Sequence, residues 1–320
     1  MKKRRLKNFI LFLCMLLLTG CAKMPVMQEA EEPVREEFSQ EEMLLLMAGR
    51  ISEVSDVFGK GILQVRMNES GDTYQDTLFE LTKDYVEKVD AMTQLALAKG
   101  IVISLNEKKE IAARAQKYLE DYQKSGETEV PETEAVEKVL TNLLLVEKIR
   151  EKLIADAGVE VSESEAKVMD IIRIELDDSG KAYETLEEAN ANPENFASIA
   201  RRNSVNSETE IKVGRGDLGS VIDEEIFRLE DGEISPVMQY KDKYYIIQVV
   251  KGYDPEATAL RKEAVRQNLE NEVIGKAYKD YIAENPYEID AEIWKEVTRR
   301  YSGNTGIPDI HAYAKSSGGI

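Results

Sequence analysis

The chain has 320 residues, with 61 Asp and Glu against 42 Lys and Arg, two cysteines and one histidine. A formal charge of −19 repels phosphate backbones, which excludes nucleic acid as a partner. The single histidine, His311, stands near the C-terminus, so neither a Ser-His or Cys-His nucleophile pair in the core nor a histidine-based metal cluster can form.

The first element in chain order is a leader. "MKKRRLKNFILFLCMLLLTGC" places Lys2, Lys3, Arg4, Arg5 and Lys7 before an apolar run, Phe9–Leu18, and small residues after it. This is the layout of a secretory signal, and a run of about ten apolar residues is too short to span a bilayer as a helix. Leu18-Thr19-Gly20-Cys21 resembles the lipobox of bacterial lipoproteins. The resemblance implies that residues 1–20 are removed and that Cys21 carries a diacylglyceryl thioether, which holds the protein to the outer side of the bacterial cell membrane. Cys14 leaves with the leader, so the mature chain has neither free thiol nor disulfide and must be stabilised by its core alone.

Residues 21–45 are read as a tether, because the Pro- and Glu-rich stretch 22–40 lacks apolar periodicity. "QEEMLLLMAGRISEVSDVF" reads as helical or partly buried, and Asn68–Asp72 as a loop. From Gln75 to Lys99, Leu78, Leu81, Tyr85, Val89, Met92 and Ala96 recur at three- and four-residue spacing, and Gly100 follows as a helix stop. Ser104-Leu-Asn-Glu107 is a capping-box sequence opening a helix to about Gln123. A third helix runs from about Pro131, with Val136, Val139, Leu140, Leu143, Val146, Ile149 and Leu153 on one stripe, to Gly158. Three amphipathic helices in succession need partners, and residues 46–160 are read as a helical domain.

The texture changes at Val159. "KVMDIIRIEL" is a short apolar run with polar flanks, a strand; "YYIIQVV", rich in aromatic and β-branched residues, is another. Between them lie a helix, a break at Asn192-Pro193, a second short helix, "VGRGDLGS" and "VIDEEIFRLEDGEIS". Residues 255–283 return to helix, "PYEIDAEIWKEVTRR" adds a short helical piece, and 302–320 read as an irregular tail. The helix–mixed–helix order suggests a compact α/β insert whose flanking helices pack together, with the helix over about 257–283 docking on the N-terminal helices.

"VGRGDLGS" fits the Gly-x-Gly-x-x-Gly spacing of a dinucleotide loop at Gly214, Gly216 and Gly219. That motif needs a buried strand before the first glycine and a long helix after the third. Here the flanks are "NSETEIKV" and the short, acidic "SVIDEEIF", so the stretch reads as a structural turn built on Gly216 and Gly219. Arg215-Gly216-Asp217 as an adhesion tripeptide has no other support.

Residues 195–249, "NFASIARRNS … GRGDLG … IFRLEDGEISPV … YYIIQVV", resemble in order the motifs of the parvulin family of peptidyl-prolyl isomerases. The likeness covers about 85 residues, 166–252. It implies an α+β fold: a parvulin-like four-stranded antiparallel sheet with helices, flanked by an all-α chaperone-like domain. "ALAKGIVISLNEKKEIAARAQKYLEDY" looks like the N-terminal domain of the exported foldases of the PrsA and SurA type, and residues 253–301 like the helices that return to it. The resemblance implies unfolded or newly exported polypeptides as partners and needs no cofactor and no metal.

The usual family site carries two core histidines with a Cys or Asp beside them. In the first strand the histidine position falls on Asp170 or Ile171, in the last strand on Tyr245, and Asn206 takes the Asp place of Ser-x-Asp. The candidate site is therefore Tyr245, Asn206 and Asp170, with Leu218, Ile222 and Phe227 as the proline pocket. Two outcomes stay open: a weak isomerase in which Tyr245 and Asn206 supply hydrogen bonds, or an inactive parvulin-like lipoprotein acting as a holdase or envelope assembly factor.

Overall fold

The computed structural model describes residues 37–314. The leader, Cys21, most of the expected tether and the last six residues lie outside the described residues.

Helix α1 (Gln40–Phe58) opens inside the stretch expected as tether. Its start is fixed by a capping box, in which Glu42 donates its N–H to Ser39 Oγ and Ser39 donates its N–H back to the Glu42 carboxylate at 3.1 Å. Met43, Leu45, Leu46 and Met47 are then buried within one turn and a half, so the body of the protein begins near residue 38 and not at 46. Helices α2 (Tyr74–Ala98), α3 (Leu105–Gln123) and α4 (Thr133–Ala157) follow; α2 and α3 are opened by capping boxes, and α4 is ended by Gly158 in the left-handed conformation. Their apolar stripes meet in one core that includes Ile51, Val86, Val89, Ile111, Tyr118, Val139 and Leu140.

The end of the chain completes this core. Helix α10 (Ala291–Arg300) packs on α1 and inserts Trp294 and Val297. In the stretch after it, Ile307 and Ile310 are buried in the same core before the short helix α11 (His311–Ala314). The sequence signal was weak because two isoleucines among Gly, Asn and Pro carry no periodicity.

The insert begins with α5 (Glu163–Ala166) and contains β1 (Val168–Leu176), α6 (Ser179–Ala191), α7 (Phe196–Asn203), β2 (Glu210–Gly214), α8 (Ser220–Ile226), β3 (Met238–Tyr240) and β4 (Lys243–Lys251). The four strands form an antiparallel sheet in the order β2-β1-β4-β3. Period-two alternation separates the faces. Ile172, Ile174, Leu176 and Ile246 pack on Ala182, Ala189, Phe196 and Ile199 of α6 and α7. Met169, Ile171, Ile247, Val249 and Met238 pack on Ile222 and Ile226 of α8. The Gly232–Ser235 segment lies along β4: Gly232 donates its N–H to Val249 O at 2.8 Å, Ser235 donates its N–H to Ile247 O at 2.8 Å, and Ser235 Oγ accepts the Ile247 N–H at 2.9 Å. A buried serine is thereby satisfied and an open strand edge is covered.

Helix α9 (Pro255–Glu284) joins the two parts. At its start, Asp254 donates its N–H to Val168 O at 2.9 Å and Val168 donates its N–H to Thr258 Oγ1 at 3.0 Å. Farther along, Ile274 enters a second core with Met92, Leu95 and Ala96 of α2 and Leu145 and Ile149 of α4. Helix α9 thereby contacts the N-terminal helices α2 and α4. Of its 30 residues only Thr258 and Ile274 are buried, so α9 relies on those contacts and on surface pairs along the helix such as Arg266–Glu263 and Lys276–Asp280.

Candidate functional site

"VGRGDLGS" folds as a turn clamped from both sides. Gly214 donates its N–H to Asp217 Oδ2 at 2.7 Å, and Gly216 donates to the carboxylate of Asp223. Gly216 and Gly219 both have φ of +92°, where a side chain is strained, and a Cβ on Gly219 would meet the Tyr240 ring at 2.6 Å. Arg261 of α9 crosses the turn, donating to both Asp217 oxygens at 3.2 and 3.3 Å and to Arg215 O at 2.6 Å. The N–H groups of Gly214 and Gly216 that would face a pyrophosphate are thus taken by carboxylates, and Arg215 donates to Ser164 O at 3.1 Å instead of standing free.

Tyr245 lies half-buried on the α8-side face of the sheet. Residues directly opposite in an antiparallel pair share a face. Tyr245 stands opposite Glu175 on β1 and Met238 on β3, and Arg173 stands opposite Ile247. The phenol of Tyr245 therefore sits among charges: burial raises its pKa above the ordinary value, the carboxylate of Glu175 raises it further, and Arg173 and Lys243 pull it back. Lys243 Nζ is 3.7 Å from Glu175 Oε1 and also pairs with Asp177. The Nε of Arg173 is buried without a partner, while its Nη2 donates to Glu208 O at 3.3 Å.

The loop after α7 is pinned to the same end of β1. Glu175 donates its N–H to Ser204 Oγ at 3.0 Å, Val205 donates its N–H to Glu175 O at 2.8 Å, and Arg173 donates its N–H to Thr209 O at 2.7 Å. Asn206 thus lies by Glu175, but its side-chain oxygen accepts the Glu208 N–H at 3.0 Å in a local turn.

Asp170 is elsewhere. It pairs across β1/β4 with Lys251, five positions from Glu175, or about 16 Å along the strand. Its carboxylate is held by Lys212 at 2.6 Å, and the same ammonium pairs with Asp254, whose side chain caps α9 by accepting the N–H groups of Glu256 and Ala257. Lys212 and the Ala257 N–H hold the Asp254 carboxyl down at about 2. The alternative position, Ile171, faces the Tyr245 side but has no polar atom. Among the described residues no hydrogen bond joins Tyr245, Asn206 and Asp170.

The three pocket candidates belong to the same apolar cluster as Tyr245. Ile222 is 1% exposed, leaving almost no surface for a proline ring. Phe227 is half-buried beneath the Arg215 guanidinium, 4.4 Å from the ring centre, with Lys167 at 5.7 Å. Leu218 is half-buried beside Gly219 in the cluster that also holds Met238, Tyr240 and Tyr245. The sequence reading missed Arg173, Glu175 and Lys243; the alternation in "IIRIEL", which puts 173 and 175 on one face and 172, 174 and 176 on the other, was the available signal. His311 lies outside this site: its Nδ1 is 2.7 Å from Asp309 Oδ1 and its Nε2 is 2.7 Å from the Tyr85 hydroxyl. Among the described residues no group of His, Cys, Asp and Glu is arranged to hold a metal ion, and no helix is long and apolar enough to cross a membrane.

No protein-family model matches the chain. It is 30% identical over 152 residues to the foldase protein PrsA of Streptococcus mutans, covering 42% of this chain and 44% of that protein. It is 28% identical over 120 residues to the foldase protein PrsA of Staphylococcus aureus, covering 34% and 37%. The chain thus matches less than half the length of these curated relatives. Among solved structures, the peptidylprolyl isomerase PrsA of Bacillus cereus aligns over 73% of this chain and 96% of its own, at 17% identity and a TM-score of 0.37, too loose a superposition to add to the sequence match. By sequence, then, this chain is similar to the foldases named PrsA, the branch of the parvulin family that its own motifs resemble.

Proposed function

We propose that this chain is an extracytoplasmic foldase, anchored to the membrane through acylated Cys21, that assists newly exported polypeptides. In this reading residues 1–20 are the leader, 38–160 with 253–314 form a chaperone-like helical part, and 166–252 form the parvulin-like module. The observation that carries it is the sequence similarity to the foldase PrsA of Streptococcus mutans. A fold with one buried sheet and a separate helical core suits a protein that holds chains with one part and samples their proline bonds with the other.

Rotating a prolyl bond needs no nucleophile. It needs an apolar seat for the ring and polar groups that favour the twisted amide over the planar one, against an intrinsic barrier of about 18–20 kcal/mol. In this chain the hydrogen-bonding groups on the sheet face shared with Leu218 and Met238 are the Tyr245 hydroxyl, the Arg173 guanidinium and the ammonium of Lys243. A phenol whose pKa is raised remains a neutral donor, so Tyr245 can donate to a developing lone pair but cannot act as a base. Buried Ile222 and covered Phe227 favour the second reading, in which isomerisation is slow or absent and holding clients is the principal activity.

Two measurements on the full chain test this: isomerisation of a proline tetrapeptide, and light scattering from a refolding client. Suppressed scattering with little isomerisation is expected. Fast isomerisation abolished by Tyr245→Phe would make Tyr245 a working replacement for histidine, and failure to suppress scattering would remove the foldase reading.

A further inference from the structure

The helical body carries an open cleft of about 490 Å³, away from the Tyr245 face. Its floor is apolar: Leu44, Leu45 and Ala48 of α1, Tyr122 of α3, Pro131, and Ile307 from the stretch after α10. Its rim is charged and one-sided. Glu41, Glu127, Glu129 and Glu132 surround it, with Arg300 as the one basic residue of the lining. The cleft is assembled from the first helix, the 127–132 loop and the end of the chain.

We propose that this cleft holds an apolar side chain from a client polypeptide whose neighbouring residues are Lys or Arg. The proposal rests on the foldase reading and assigns a preferred client chemistry to it. The volume lies in the range of pockets that hold ligands. The glutamates are oriented and remain available. Glu41 Oε1 accepts the Glu132 N–H at 3.0 Å, and Glu127 accepts the Ser302 hydroxyl, yet a carboxylate has further lone pairs. Among the described residues none of the four is in an ion pair. Their field already reaches the floor: the phenol of Tyr122 is pushed up to about 12, by burial first and then by Glu127, Glu41 and Glu129, and that of Tyr301 also to about 12, by burial and then by Glu127. A cation on the bound segment relieves this clustering of like charge, whereas an acidic segment adds to it. The chain's net charge of −19 acts in the same direction at longer range.

The test uses the full chain and three fluorescein-labelled dodecapeptides: a Lys-flanked Leu, a Glu-flanked Leu, and a Lys-flanked Ser. The Lys-flanked Leu peptide is expected to bind best, with affinity falling as salt is raised. The combined variant Glu127→Gln, Glu129→Gln, Glu132→Gln, its folding checked by an unchanged melting temperature, is expected to bind it about tenfold more weakly. Equal binding of the Glu-flanked peptide, equal binding of the Ser peptide, or an unaffected triple variant overturns the proposal. So does sedimentation showing that a second copy fills the cleft, as a dimer that the triple variant dissolves. Suppression of client scattering is measured in parallel. If it persists while the peptides fail to discriminate, the cleft assignment falls and the foldase reading stands. If it is absent while the Lys-flanked Leu peptide binds at the rim, the cleft stands and the foldase reading falls.

Discussion

Replacing Ile274 by Ala should uncouple α9 from the helical body. Ile274 is 3% exposed, and it is the one fully buried apolar residue of a 30-residue helix, lodged between Met92, Leu95 and Ala96 on one side and Leu145 and Ile149 on the other. The change removes three carbons, about 2.4 kcal/mol at roughly 0.8 kcal/mol each. A residual cavity adds to this, up to about 5 kcal/mol in rigid surroundings. Half-exposed neighbours such as Ala277, Tyr278 and Tyr281 can close over the gap, which places the expected loss at about 2–3.5 kcal/mol. Chemical denaturation followed by fluorescence reads it directly, because the chain's one tryptophan, Trp294, is 4% exposed in the helical core. Leu260→Ala, on the same helix but 70% exposed, is the control and should cost under about 0.5 kcal/mol. If Ile274→Ala costs no more than Leu260→Ala, α9 is not held by this contact and the described coupling of sheet and helices is wrong.

Gly219→Val should destabilise the sheet module by about 1–3 kcal/mol, since it combines a positive φ with the Tyr240 ring where a side chain must go; urea melts of the variant check this. The Asp254 carboxyl is held at about 2, below its ordinary value, so its contribution is present above pH 4 and is lost as pH falls toward 2. Lys212→Met should accordingly flatten the acid limb of a stability-versus-pH curve between pH 4 and pH 2, and an unchanged limb would show that the ion pair carries no linkage. Cys21→Ala should leave the protein unprocessed or released from membranes, as read by fractionation and by mass spectrometry of the N-terminus.

The local signals were strong wherever one element decides its own form. Capping boxes at Ser104–Glu107 and stops at Gly100 and Gly158 fixed helix ends to within a residue or two, because they satisfy backbone groups within a few positions. The same signal stands at Ser39–Glu42, inside a Glu-rich stretch whose composition reads as tether, and the helix there begins at Gln40. The turn at Gly216 and Gly219 was legible for a similar reason: a positive φ is a property of one residue.

The site was less legible, because it depends on strand register. Whether Asp170, Ile171 or Arg173 meets Tyr245 is decided by the pairing of β1 with β4, including the irregularity between Asp170 and Ile171, and a shift of one residue exchanges the two faces. The motif likeness grouped Tyr245, Asn206 and Asp170 as one site, but only the paired backbone brings Glu175, Arg173 and Lys243 around that phenol and sends Asp170 to Lys212 and the start of α9. Likewise, the amphipathic stripes determine by themselves that α2 to α4 must be buried on one side. That the far end of the chain supplies Trp294, Ile307 and Ile310 to the same core is a tertiary outcome, because apolar burial is non-directional and any matching surface would have satisfied those stripes equally.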